Sequence, residues 1–303
     1  MVYTFSNGTH GYDFGDADTE VMECDLIDAH GTMVSGVLAA EMNNDLGIAG
    51  TAQITILPVK VVPDSNPFSW LAVAAGIRYA ADLGVDVISM SLGEYYCDQA
   101  MAASWAQVNQ ALEYAWSRGC LLVAASGNDE TAPLAFPARH PLVIAVGVTD
   151  QQGIVVGGVR IAEKVWELSS YLQNVSGEVC CVAPGDLVIS TYRNATQTDL
   201  YEDAYSGTSL AAPHVAGCLG LMYSYRPSMT NQEAWRVLNA TCDDLLDPDE
   251  DDAPTYSDDP GFDEFSGWGI INVSNAVSYA NLQRDQWSHH TLVTNNSVSF
   301  NFS

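Results

Sequence analysis

The sequence is short of positive charge. Of 303 residues only 10 are lysine or arginine against 38 aspartate or glutamate, a net charge of −28 at pH 7. Nucleic acid and anionic membrane surfaces both demand cationic patches, so neither is expected as a partner. Acidity of this size suits a high-salt or calcium-containing medium, where self-repulsion is screened, and equally serves ordinary solubility. Long apolar runs are missing too: no stretch of eighteen apolar residues occurs, which excludes a transmembrane helix. The seven cysteines (Cys24, Cys97, Cys120, Cys180, Cys181, Cys218 and Cys242) form no CxxC pair. An odd number spread over the chain is neither a zinc site nor a disulfide scaffold. Cys120 and Cys218 sit in apolar stretches and read as buried small hydrophobes. There is no internal repeat, and no signal peptide is visible at Met1.

What remains is a globular composition, 48% hydrophobic and 16% charged, long enough for one large domain or two small ones. Seven N-x-S/T sequons start at Asn7, Asn174, Asn194, Asn239, Asn272, Asn295 and Asn301. They hint at a secreted chain, although Asn239 and Asn272 fall in segments expected to pack. The middle of the sequence alternates β-rich and helical runs. Strands are expected at 54–62, 85–93, 120–128 and 142–150, and helices at 69–84 and 101–119, ending at Gly84 and Gly119. Near-continuous apolar strands between helices read as a buried, mostly parallel sheet flanked by helices. Beyond it a strand is expected at 179–185, helices at 209–225 and 231–242, and a strand-turn-helix over 267–280. Residues 243–264, dense in carboxylates, read as a solvated loop without EF-hand spacing.

Three separated segments carry candidate chemistry. His30 heads a helix of small residues in "DAHGTMVSGVLAAE", and Asn128 follows a buried strand in "LLVAASGND". Ser209 stands where a helix begins in "YSGTSLAAPHVAG", and a serine there reads as an N-cap. In an open α/β sheet such groups gather outside the carboxyl ends of the strands.

With "NNDLGIAGTAQITILPVKVV", "SWLAVAAGIRYAADLGVDVISMSLG", "FPA", "APG" and "GWGIINVSNAV", these segments resemble the subtilisin family of serine proteases, in its order, over roughly residues 11 to 280. The resemblance implies a three-layer α/β fold, with residues 1–280 as the peptidase domain and 281–303 as a tail or the start of a truncated extension. It implies a serine endopeptidase working through an acyl-enzyme: Ser209 as nucleophile, His30 as general base, and Asn128 with the Ser209 N–H as oxyanion donors. Substrate would bind as an extended strand beside Ser91, Leu92 and Gly93, with the segment 63–68 on its other side. Ala124, Ala125, Ser126, Gly127 and Phe136 would line an uncharged specificity pocket. "NNDLGIAG" resembles the family's calcium loop, with the Asn44 side chain and the Met42, Leu46 and Ile48 carbonyls as donors. An Asx-rich turn without metal fits that loop as well. No cofactor is needed for the chemistry, the chain is expected to be a secreted monomer, and its partner a polypeptide. An α/β-hydrolase fails on motif and on chain order, because the second glycine of G-x-S-x-G is missing and the base precedes the serine.

One element of the family pattern is not found. The triad aspartate ends a hydrophobic strand well before the histidine, and none of the 29 residues before His30 forms such a strand. Asp13, Asp16, Asp18, Asp25 and Asp28 lie in loop-like sequence, and Asp28 is too close along the chain to reach the far ring nitrogen of His30. The expectation is an N-terminally truncated copy with poor activity, or a non-catalytic homologue that binds peptides in the cleft.

Overall fold

The computed structural model describes residues 2, 4–6, 8–21, 29–64, 68–99, 101–129, 134–149, 154–156, 159–161, 179–192, 201–245, 261–263 and 266–281. The first half runs β1 (Tyr12–Asp13), α1 (His30–Ala39), β2 (Val59–Lys60), α2 (Trp70–Asp82), β3 (Val87–Met90), α3 (Ala102–Ser117), β4 (Leu121–Ala125) and β5 (Val143–Thr149). It continues with β6 (Ile154–Val156), β7 (Val159–Ile161), β8 (Val179–Pro184), β9 (Val188–Thr191), β10 (Tyr201–Tyr205), α4 (Thr208–Tyr225), α5 (Asn231–Thr241) and α6 (Val273–Ala280).

The centre is a four-stranded sheet in the order β3-β4-β5-β8, with every pair parallel. Side chains alternate across a strand, so its two faces meet different helices. Leu121, Val123 and Ala125 of β4, with Ile144, Val146 and Val148 of β5, pack with α4, α5 and α6. Leu122 and Ala124, with Val143 and Ala145, pack with α2 and α3. Both faces are therefore covered, as the unbroken apolar strands require. This is the three-layer α/β architecture expected from the sequence.

Helix ends follow local chemistry. Ser69 caps α2 by accepting from the Leu71 N–H at 3.3 Å, and Thr230 and Glu233 form a capping box on α5. Gly84 (φ +72°) and Gly119 (φ +94°) turn the chain out of α2 and α3 in the left-handed region that glycine adopts without strain. Cys120 and Cys218 are buried as expected, at 1% and 0% exposure.

Three expectations need correction. The run 54–62 contributes only the two-residue β2, because its parallel partner β1 offers only Tyr12 and Asp13 to pair with. Residues 267–270 make isolated bridges rather than a strand before α6. Ser209 does not cap α4: the helix begins one residue earlier, with Gly207 as N-cap and no side-chain cap of its own. The antiparallel β9–β10 pair was not foreseen. Cys24, Asp25, Asp28, most of the acidic segment 243–264, residues 65–67, the tail 282–303 and the sequons at Asn7, Asn174, Asn194, Asn295 and Asn301 lie outside the described residues.

Candidate active site

β3 and β4 deliver their carboxyl ends side by side, β3 running into Ser91–Gly93 and β4 into Ser126–Asn128. The start of α4 lands on the same edge, since the Gly207 N–H donates to the Gly185 carbonyl, just past β8, at 2.8 Å. Gly207 holds φ +154° and ψ 159°, a conformation closed to residues with a Cβ.

Asn128 fastens this junction. Its Oδ1 accepts from the Thr208 N–H and from the Thr208 hydroxyl, both at 2.9 Å. The Gly127 N–H lies 3.2 Å from the same hydroxyl oxygen. A backbone N–H can only donate, so Thr208 fixes which end of the Asn128 amide faces it. The amide oxygen is thereby committed, which leaves Nδ2 as the donor that Asn128 can offer to the cleft it lines with Ser209. Asn128 thus supplies, from across the molecule, the helix cap that α4 lacks locally.

The carbonyl of Ser209 is also accounted for. In an α-helix it would accept from the N–H four residues on, but that residue is Pro213, which has none. The Ser91 hydroxyl donates to it instead, at 2.7 Å. Pro213 is tolerated inside α4 because the end of β3 supplies this replacement donor.

These groups surround a cleft of about 150 Å³ lined by Leu92, Gly93, Tyr95, Ala125, Gly127, Asn128, Asp129, Ala135, Thr208 and Ser209. Ser209 and Asn128 face the same space, at the positive end of a helix whose first turn carries no acidic residue. Of the residues expected to bind substrate, Leu92, Gly93, Ala125 and Gly127 line the cleft. Ser91 serves the Ser209 carbonyl, and Ala124 and Ser126 are buried at 0%. Phe136 is not a lining residue: its ring stacks on Trp105 at 4.3 Å inside the core, and Ala135 takes its place. Sequence reasoning missed Thr208 and Tyr95, whose hydroxyl accepts from the Asn128 N–H at 2.5 Å. Thr208 carried a signal, since it stands next to Ser209 in "GTS". Tyr95 carried none.

His30 opens α1 and is half-buried, with no side-chain cap before it. Met33 and Val37 of α1 share a buried cluster with Leu210 of α4, so the two helix starts are neighbours. Among the described residues no hydrogen bond joins His30 to Ser209; such bonds are often long in unliganded sites and tighten around substrate. Nor does a described aspartate orient His30. Asp13, buried at 1% exposure, accepts from Lys60 Nζ and from the Gly15 and Asp16 N–H groups. Asp16 accepts from the Asp64 N–H, and Asp18 from the Glu20 N–H. Asp13, Asp16 and Asp64 converge closely enough to hold a metal ion, but the Lys60 ammonium already sits among them. Burial works against the charge on Lys60, and the Asp13 and Asp64 carboxylates overcome it, holding its pKa above the ordinary lysine value.

The expected calcium donors lie on a well-formed loop. Asn44 Oδ1 accepts from the Leu46 N–H at 3.0 Å, an Asx turn, and Asn43, Asp45 and Gly47 all take positive φ. Four donors are fewer than the six to eight oxygens calcium prefers.

A serine at a helix N-terminus, an oriented amide lining the same cleft and a histidine at the start of a neighbouring helix are the groups that a serine hydrolase on an α/β fold would use. The model of the subtilase family matches residues 6–269, and the chain belongs to that family. Thermitase of Thermoactinomyces vulgaris is 38% identical over 225 residues, covering 74% of this chain and 70% of thermitase. Subtilisin Savinase of Lederbergia lenta is 36% identical over 217 residues, 71% of either chain. The halolysin-like extracellular serine protease Nep of Natrialba magadii is 34% identical over 80% of this chain, which spans only 40% of Nep. Among solved structures, sphericase superposes with a TM-score of 0.69 at 28% identity, covering 86% of this chain and 83% of sphericase.

Proposed function

We infer that the chain is a serine endopeptidase that cleaves extended polypeptides through an acyl-enzyme on Ser209. The observation that carries the reading is the Asn128 amide, oriented by Thr208 and presented beside Ser209 in the cleft. The Ser209 hydroxyl attacks the scissile carbonyl while His30 takes its proton, and the oxyanion forms between Asn128 Nδ2 and the Ser209 N–H. His30 then returns the proton to the leaving amine, and water repeats the sequence on the ester.

The peptide binds along Leu92 and Gly93 as an added strand, with one side chain in the cleft formed with Ala125 and Gly127. The chain acts as a monomer and needs no cofactor for the chemistry. The Asn44 side chain and the Met42, Leu46 and Ile48 carbonyls are the oxygens it offers a structural calcium, completed by donors from elsewhere. Secretion belongs to the same reading: relatives carry the names "extracellular serine protease" and "cell wall-associated protease". Among the described residues no helix is long and apolar enough to cross a membrane.

Hydrolysis of an internally quenched peptide, compared between the native chain and Ser209→Ala, tests the function itself. A rate abolished by the substitution supports it, and equal rates, zero included, overturn it.

A further inference from the structure

The mechanism above leaves unused a group of four cysteines on the far side of the sheet from the α2–α3 layer. Cys180 and Cys181 lie on β8, Cys218 on α4 and Cys242 just past α5. Cys181 and Cys218 are fully buried, and the half-buried Cys242 packs against the cluster that holds them. The chain sets β8 and the end of α5 at one level by means of Ile270. Asp243 exchanges both backbone hydrogen bonds with Ile270, at 2.8 and 2.9 Å. Val182 bonds to the Gly269 carbonyl and the Ile271 N–H on the opposite edge of the same segment, at 3.0 and 3.1 Å. Cys181 and Cys242 each precede one of these paired residues, and their thiols are neighbours, with Cys242 Sγ donating to the Leu238 carbonyl at 3.3 Å.

The neighbouring thiols are otherwise engaged. Cys180 accepts from Trp235 Nε1 at 2.8 Å and donates to Asn239 Oδ1 at 2.8 Å, which turns it toward α5. Burial pushes the Cys218 thiol up to about 12, holding it protonated and inert. Cys242 alone in the group reaches solvent.

We propose that Cys181 and Cys242 form a disulfide that ties β8 to the end of α5 when the protein meets an oxidising medium. The oxidant is a small-molecule disulfide. The Cys242 thiolate attacks one of its sulfurs, forming a mixed disulfide and releasing one thiolate. Cys181 then gives up its proton and attacks the Cys242 sulfur, forming the protein disulfide and releasing the second thiolate. Two protein thiols are oxidised and one small disulfide is reduced to two thiols. The bridge closes a loop containing β9, β10, α4 and α5, and so ties down the segment that carries Ser209.

The test is a non-reducing peptide map of the full chain after exposure to oxidised glutathione and alkylation of the remaining thiols. Trypsin cleaves after Arg193 and Arg236, which puts Cys180 and Cys181, Cys218, and Cys242 on three different peptides. The expected result is one cross-link between the first and third peptides, kept in Cys180→Ala and in Cys218→Ser and lost in Cys242→Ser. The exposed Cys97, taken up as a mixed glutathione disulfide, shows that the oxidant acted. The proposal is overturned by a cross-link through Cys218, by one lost in Cys180→Ala, or by Cys181 and Cys242 both recovered alkylated while Cys97 carries glutathione.

Discussion

Two helix starts meet at the candidate site, and they are built very differently. The start of α4 is saturated: Asn128 caps it, Ser91 fills the vacancy left by Pro213, and Gly185 receives the preceding N–H. The start of α1 has no side-chain cap, and the aspartates before it that the structure describes, Asp13, Asp16 and Asp18, are bonded elsewhere. The Ser209 and Asn128 half is therefore fixed by the residues around it, whereas the His30 half depends on packing between the helices. Catalytic groups must be held to within a fraction of an ångström, and only the first half is visibly held.

The contrast can be broken or sharpened by substitution. Ser209→Ala should have the largest effect, abolishing the acylation step with a loss on the order of 10⁶-fold in kcat against a complete triad. Asn128→Ala should cost about 10²- to 10³-fold in kcat with little change in KM, because its Nδ2 donor acts on the transition state. The same substitution uncaps α4, so its thermal midpoint should fall as well; Thr208→Val should reproduce part of that fall.

Acid should loosen the contact between the two helices. Thr51 Oγ1 lies 3.1 Å from the Val37 carbonyl of α1 and 2.9 Å from His214 Nδ1 of α4, so it links them. Burial holds the His214 pKa at about 4, against about 6.5 unfolded. As pH falls the unfolded chain takes up this proton first. Stability from this group is complete above pH 6.5, declines between 6.5 and 4, and is level below 4, by up to about 3 kcal/mol. Urea titrations at pH 7 and pH 4.5 measure the decline, and His214→Gln should flatten that part of the profile.

Ser91→Ala is the smallest of these changes. It leaves the Ser209 carbonyl without a donor, at a cost of about 1–2 kcal/mol in denaturant unfolding. If stability is unchanged, the carbonyl is solvated and the saturation described for α4 is incomplete.

The sequence made some of this legible and hid the rest for physical reasons. The apolar runs of β4 and β5 announced a sheet buried on both faces, and Gly84 and Gly119 marked their helix ends to within two residues. Ser209 and Asn128 stood out in their motifs, and the structure brings both to one cleft. The start of α4 was misread by one residue because its cap comes from Asn128, eighty residues away, and no local pattern reports that. Phe136 was assigned to the cleft from "FPA", but an aromatic ring beside Trp70 and Trp105 gains more from burial in their stack. β9 and β10 lack strict alternation and were passed over. Tyr95 reaches the site only through the path its loop takes after Gly93, which sequence periodicity does not encode.

The most direct test is covalent. A fluorophosphonate probe reacts with a serine only where a base and an oxyanion site assist it. Incubated with the full chain and mapped by mass spectrometry, it should label Ser209 alone, with labelling slowed by at least tenfold in Asn128→Ala and absent in His30→Ala. Label on another serine, or no label on Ser209 in folded protein, would contradict the account.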